Sequence, residues 1–564
     1  MIRRKKLYKR SSTMKKNTGR NRFTKHVSLI TAAVMTAAAL TGCGIGGQGG
    51  ASSRADGSAG GSQAVEGAGS QTSQGDGMDA AAAPQDGERP RVTILTNINV
   101  DTEGSDVNDN DYIRYIEEQT GIDIEFINDT SSNYPQKLNT IMASNNIPDA
   151  VMLMGDTQRT DLARLAEEEL LLPLDEYIDG YPNLVSNIKQ ESWDVTKYDG
   201  QVYAVPFQRY DSSPYMTFLR RDWLEALDID PEEDMVTIED WYQVLKRFTE
   251  EDPDGNGEDD TYGLTSTTSG THFTNFTFLD SFGAAKAKYV DGELLPNYIL
   301  PEYKEWLKFM HRLYEEKILD PNFIVDDPST LWDKVTGGKY GGFLWFWGLT
   351  EYQSKGYDRS ELVAVKPPVH EDGSEASYVY SSPNRHMMAI TSACEHPEYL
   401  LKIWDWACSE EGGIFTFAGL EGKDYDMQDS GIVLKEDRKG KNIGWRQLTL
   451  GVQLPNVDQE PIYGIMEQSF GEQGMQDLML SNKCGSYNEL DLYCPVFTEL
   501  QKYDLTKSVQ EFTDKAITGA VDIDAEWDSY VAGWRKAGGD EKIRLSTQWY
   551  VNSEYFNDNE GQSR

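Results

Sequence analysis

The sequence predicts an α/β protein of at least two domains, and three observations carry that prediction. β-rich runs alternate with amphipathic stretches from residue 91 onward. Roughly 475 residues follow that point, more than one hydrophobic core serves. The residues just before it contain almost nothing large and apolar, so the folded body begins there. Strands separated by helices at short spacing argue for a mainly parallel sheet, because parallel neighbours need a crossover rather than a hairpin.

The N-terminal segment is of a different kind. Eleven Lys/Arg and no acidic residue precede Cys43, and Val27–Leu40 is an uncharged run of fourteen residues. That is shorter than the roughly 20 residues needed to cross a hydrocarbon core. A basic start, a short apolar centre and small residues at the end read as a secretory signal, with Met14 an alternative start. Leu40-Thr41-Gly42-Cys43 resembles the lipobox of bacterial lipoproteins, which implies a signal over residues 1–43 and lipidation of Cys43. An ordinary cleaved signal is the alternative. Acyl chains hold a membrane durably because each buried methylene adds about 0.8 kcal/mol. Residues 44–90, rich in Gly, Ser and Ala, cannot bury enough surface to offset ordering. They read as a disordered tether with a reach of about 35–40 Å.

The body opens with a predicted strand at Arg91–Thr96, after Pro90. A helix is predicted around Asp111–Thr120, a strand over Ile122–Phe126, an amphipathic helix over Tyr134–Ala143 and a strand within Pro148–Leu153. Open sheets of this type bind ligands at the carboxyl ends of their strands.

Without the eleven leading cations, 42 basic residues stand against 93 acidic ones, a formal net charge of −51. Such a body is repelled by nucleic acid and by anionic lipid, so no nucleic-acid partner is expected. Thirteen Trp and thirty Tyr exceed what packing needs, and aromatic-lined clefts are one use for them. Cys394, Cys408, Cys484 and Cys494 form no CxxC and have no histidine at ligand spacing, which argues against zinc. Two disulfides are possible outside the membrane, and all three pairings stay open.

The sharpest local motif is Asp252-Pro-Asp254-Gly-Asn256-Gly257-Glu258-Asp-Asp260. Oxygen donors at positions 1, 3, 5 and 9, with Gly at 6, match three-quarters of an EF-hand loop. Asp252, Asp254, Asn256 and Asp260 would offer side chains to a structural Ca²⁺, with the Glu258 carbonyl as a fifth ligand. Position twelve is Gly263, so the bidentate Glu is missing. The loop follows an amphipathic helix, Ile238–Phe248, and would staple its end. An acidic surface turn is the alternative.

A second motif runs Gly337–Gly348 and contains Tyr340, Phe343, Trp345, Phe346 and Trp347. In a strand Trp345 and Trp347 share one face and Phe346 the other. Core packing is the competing reading of these rings. No Gly-x-Ser-x-Gly, His-Glu-x-x-His or Walker loop occurs, and the six histidines are scattered, so neither an enzyme nor an organic cofactor is predicted.

Several phrases recur in a family order. They are Ala143–Val151 with its Pro148-Asp149 step, Leu172–Ile178, Asp199–Pro206, Leu219–Leu224, Leu313–Pro321 and Ile517-Thr518-Gly519. In this order the chain resembles family 1 extracellular solute-binding proteins, in the large lipoprotein branch related to sugar-binding proteins. The resemblance implies a two-lobe periplasmic-binding-protein-like (type II) α/β fold with hinge-crossing strands. Lobe 1 would comprise residues 91–208 and 386–450, and lobe 2 residues 209–385, with the calcium-type loop, and 451–564. The implied function is capture of a sugar or oligosaccharide for an ABC permease by a monomer tethered outside the membrane. A peptide or other small solute, a sensory role, or a surface glycan-active enzyme are the alternatives. In that family the strand end matching Trp345 and Trp347 supplies a stacking platform. Tyr210, Asp211 and Arg209, just past the first crossing, are the polar candidates, with Trp193 and Glu421 of the same type. A family loop of the calcium kind often carries an acidic residue where Thr261 stands here.

Overall fold

The computed structural model describes residues 89–553, apart from 99–101, 103, 131–132, 214, 267–276, 381, 440, 442–445, 447–456 and 458. The predicted signal, Cys43 and all but the last two residues of the predicted tether lie outside the described residues, as does most of the chain around the predicted lobe boundary at 450/451.

The first sheet is built from β1 (Arg91–Thr96), β2 (Asp123–Asn128), β3 (Ala150–Met154), β4 (Val205–Gln208) and a late strand, Asn384–Ile390. β1 pairs parallel with β2 and β3. Between them run α1 (Asp111–Thr120) and α2 (Tyr134–Met142), and α3 (Gln158–Glu167) follows β3. α1 starts where the Asn110 side chain accepts from the Tyr112 and Ile113 amides, and stops at Gly121, whose φ of 72° suits a left-handed cap. Val92, Ile94, Leu95 and Val151–Leu153 are enclosed, as a sheet covered by helices on both faces requires.

The second sheet has three antiparallel strands. β5 (Tyr215–Arg220) lies between β6 (Gly342–Phe346) and β7 (Leu362–Val365). Alternation along β5 splits its side chains: Met216 and Phe218 enter one core, Leu219 another. α4 (Ile238–Glu250) opens with a Thr237–Asp240 capping box and packs Trp241, Leu245 and Phe248 inward. Gly341 and Gly342 let β6 approach closely, because a Cβ there would fall 2.3 Å from Phe248 and 2.6 Å from Leu219. α5 (Pro301–Glu315) and α6 (Pro328–Thr336) complete this side before β6.

After β7 the chain forms β8 (Tyr378–Tyr380) and returns to the first sheet as β9 (Asn384–Ile390), between β3 and β4, giving the order β2-β1-β3-β9-β4. α7 (Pro397–Ala407) and the first part of α8 (Glu410–Ala418) pack on the first core, through Leu400, Trp404 and Phe415. Phe417, two residues on, belongs with Met216 and Phe343. α9 (Ile462–Cys484) runs into β10 (Gly485–Tyr487), which pairs parallel with β8. Further on, α10 (Leu505–Ile517) seats its end on α5: His311 Nδ1 lies 3.0 Å from the Ile517 carbonyl oxygen, and a Cβ at Gly519 would meet the His311 ring at 2.7 Å. The Ile517-Thr518-Gly519 phrase is therefore a packing signature. Two α/β lobes thus share interleaved segments, and no disulfide joins Cys394, Cys408, Cys484 and Cys494. No helix among the described residues is long and apolar enough to cross a membrane.

Candidate functional site

The parallel strands β1, β2 and β3 all end toward one edge of the first sheet. β9 runs antiparallel to β3, with His386 opposite Met154, so β9 begins at that edge. β4 also ends there, with Gln208 opposite Asn384. The chain leaves for the second lobe at this edge and re-enters here. It is the carboxyl edge, where open α/β sheets place their ligands.

The departing residues are clamped in place. The Arg209 amide donates to the Pro383 carbonyl at 2.7 Å. The Ser212 amide donates to Asn482 Oδ1 at 2.8 Å, and Ser481 Oγ donates to the Ser213 carbonyl. Gly485 permits this contact, since a Cβ there would sit 2.6 Å from the Ser213 nitrogen.

Within this clamp Asp211 is 3% exposed and both its oxygens are used. Arg209 Nε donates to Oδ1 at 2.6 Å, and Trp347 Nε1 donates to Oδ2 at 2.9 Å. Burial alone would lower the Arg209 pKa, but the adjoining Asp211 carboxylate overrides it and holds the guanidinium more firmly charged than usual. Arg209 also lies over the Tyr380 ring, 5.1 Å from its centroid. Burial, then the Asp211 charge, push the Tyr487 hydroxyl pKa up.

Sequence reasoning named Arg209, Tyr210, Asp211 and Trp347 from two distant segments, and the structure brings them together. Trp347 lies one residue past β6, and the chain turns sharply at Gly348, where a Cβ would strike Phe346 at 2.4 Å. The expected shared face of Trp345 and Trp347 is therefore replaced by two different settings. Trp347 is fully enclosed, against Tyr210, Phe346 and Phe470. Trp345 is half-buried, edge-on to Trp332 with centroids 5.1 Å apart. Trp193 turns its ring into the first core at 7% exposure. Glu421 stands exposed by Tyr425. Sequence reasoning missed Tyr215 and Tyr380, half-buried rings 6.1 Å apart, and Arg385 at the start of β9. Their place follows from strand order, which no local pattern reveals.

The acidic loop is separate. Asp252 adopts φ 49°, Gly255 φ 66° and Gly257 φ 81°, folding the segment on itself. Asp252 accepts from the Asn256 and Gly257 amides at 3.1 and 3.0 Å. Asn256 Nδ2 donates to Asp254 at 2.9 Å and Asp260 at 3.2 Å, and Asn256 Oδ1 accepts from the Glu258 amide. Lys339 pairs with Asp260, and this bond, then that from Asn256, holds the Asp260 carboxyl below its ordinary range. The side-chain donors are all oxygens gathered around one asparagine, which is the chemistry a hard cation takes. Among the described residues no three His, Cys, Asp or Glu side chains form a ready-made metal cage. Position twelve has no space for a ligand: a Cβ at Gly263 would lie 2.5 Å from the Leu245 carbonyl oxygen. Beyond the loop, Tyr262 and Leu264 hydrogen-bond to Lys339 and Ile318, so the loop joins the end of α4 to the second lobe's core.

Comparison with known proteins is consistent across the body. The family model described as bacterial extracellular solute-binding protein matches residues 106–414. The chain is 24% identical over 466 residues to lipoprotein LipO of Bacillus subtilis, covering 78% of this chain and 89% of that protein. Among solved structures it resembles the alginate-binding protein AlgQ2 without calcium ion, with a TM-score of 0.61 at 19% identity, covering 83% of this chain and 99% of that one. It also resembles the ABC-transporter substrate-binding protein FusA of S. pneumoniae in complex with kestose, with a TM-score of 0.61 at 19% identity, covering 84% and 100%.

Proposed function

Since the chain belongs to the bacterial extracellular solute-binding proteins, we propose that it captures an oligosaccharide between its lobes and delivers it to an ABC-type importer. One observation carries this reading: half-buried aromatic rings, Tyr210, Tyr215 and Tyr380, gather with a fixed charged pair where the chain crosses between sheets. Sugar rings present C–H faces that pack on aromatic rings, and their hydroxyls pair with charged and polar groups. The kestose and alginate named for two structural relatives are of that chemistry.

The protein works by closing. Ligand bridging both lobes stabilises the closed arrangement in proportion to its extra contacts there, and the permease reads that arrangement. Trp347 and Asp211 act as scaffold in this reading, tying β6 to the crossing, and Trp345 offers the stacking face. The lobes divide as 91–208 with 386–450 and 209–385 with 451–564. Acylated Cys43 anchors the chain outside the membrane, in keeping with the lipoprotein name of one relative. Asp252, Asp254, Asn256, Asp260 and the Glu258 carbonyl hold a structural calcium, which neutralises the loop's carboxylates.

A thermal-shift screen against neutral and acidic oligosaccharides and short peptides tests this. A ligand at 100 times its Kd adds about 2.7 kcal/mol to stability. A shift with sugar and no product formation supports the proposal. Response to peptides alone, or turnover of the sugar, overturns it. Trp345→Ala is expected to weaken sugar binding by roughly 1–3 kcal/mol in titration calorimetry.

A further inference from the structure

Arg385 is the exposed residue in an otherwise buried strand: the burial along β9 alternates nowhere else. Its position comes from a break in register. Asn384 pairs with Gln208 and His386 with Phe207, so two steps on β9 match one on β4 and Arg385 is the extra residue of a bulge. Bulges re-aim a side chain, and they concentrate beside functional sites. Here the bulge sits on the carboxyl edge of the sheet, one strand from Arg209.

This guanidinium takes part in no hydrogen bond or ion pair with the described residues. Its recorded contact is with the Phe207 ring, 6.0 Å from Cζ to centroid. The Asp211 carboxylate is already committed to Arg209 and Trp347. The charge of Arg209 is met by Asp211, whereas no carboxylate among the described residues pairs with Arg385.

We infer that Arg385 receives a carboxylate of the bound sugar, making the ligand an acidic oligosaccharide that contains uronate residues. The inference rests on the oligosaccharide reading above and specifies its substrate class. A planar guanidinium can take a carboxylate through two parallel N–H···O bonds, and the neighbouring rings of Tyr210, Tyr380 and Tyr215 take the sugar faces.

The test is titration calorimetry of the full chain with trimers of galacturonate and of mannuronate, the methyl esters of both, and neutral kestose. Methyl esterification keeps each ring and removes its charge. At least one acidic trimer is expected to bind about ten- to a hundredfold more tightly than its ester, the range of a charged hydrogen-bonded pair. Arg385→Gln is expected to erase that preference at unchanged Tm, because the side chain is exposed. Arg385→Lys keeps the charge without the fork and should retain part of it, with a steeper salt dependence. Binding of kestose or the esters as tightly as the acids, or an acid preference that survives Arg385→Gln, overturns the inference and leaves the oligosaccharide reading standing. Binding of no sugar at all overturns both.

Discussion

Two regions of the second lobe's surroundings answer the same problem, how to hold an aspartate, in opposite ways. In the loop at 252–260 the carboxylates are partly to fully exposed and accept from partners at most five residues away, Lys339 excepted. At the crossing, Asp211 is buried and accepts from Trp347, 136 residues distant. Local partners cost little chain entropy and can be replaced by water. A buried carboxylate has no such substitute, so each partner becomes obligatory. The loop is thus a tunable site, whereas the crossing is a fixed joint.

The largest expected difference follows from removing each carboxylate. Asp211→Ala leaves Arg209 charged and unpaired with Trp347 Nε1 enclosed, and should lower stability by about 3–5 kcal/mol in urea unfolding. Asp252→Ala in calcium-free buffer should cost far less, and equal losses would mean that the contrast is wrong. Calcium supplies the next effect. At 100 times its Kd it should add about 2.7 kcal/mol, raising Tm in the parent and not in Asp252→Ala/Asp254→Ala. A Tm indifferent to calcium and chelator would return the loop to an acidic surface turn. Trp347→Phe deletes one donor to Asp211 and leaves part of the enclosed indole volume empty, with an expected loss of about 1–3 kcal/mol from the unpaired carboxylate and a further cavity cost. The smallest effect is acid sensitivity of the loop. Because Lys339 and Asn256 hold the Asp260 pKa below its unfolded value, the stabilisation is complete above the ordinary carboxylate range and is lost as pH falls through the depressed value. Hydrogen exchange of the Asn256–Glu258 amides should show faster opening there, and Lys339→Met should shift that onset toward higher pH.

The same contrast explains which features were legible in the amino-acid order. Strand 91–96, helix 111–120 and the helix from Ile238 were all expected from residue pattern and spacing, and the structure places them within two residues. The oxygen-donor rhythm of 252–260 was legible because its geometry closes within one turn. Gly263 was visible as a departure, but its cause, the Leu245 carbonyl 2.5 Å away, belongs to the fold. Tyr210 and Asp211 were located only through the family resemblance, and nothing local separated Trp345 from Trp347.

What the sequence determined by itself is therefore whatever depends on short-range physics: periodicity, the oxygen-donor rhythm of one loop, the basic and apolar start, and the acidic balance of the body. The tertiary structure alone decided that Trp347 turns inward onto Asp211, that Tyr380 and Tyr215 meet, and that a bulge carries Arg385 to the sheet edge. Each of these depends on strands distant in the chain becoming neighbours, and on the register in which they pair. A one-residue shift in that register would turn every side chain to the opposite face.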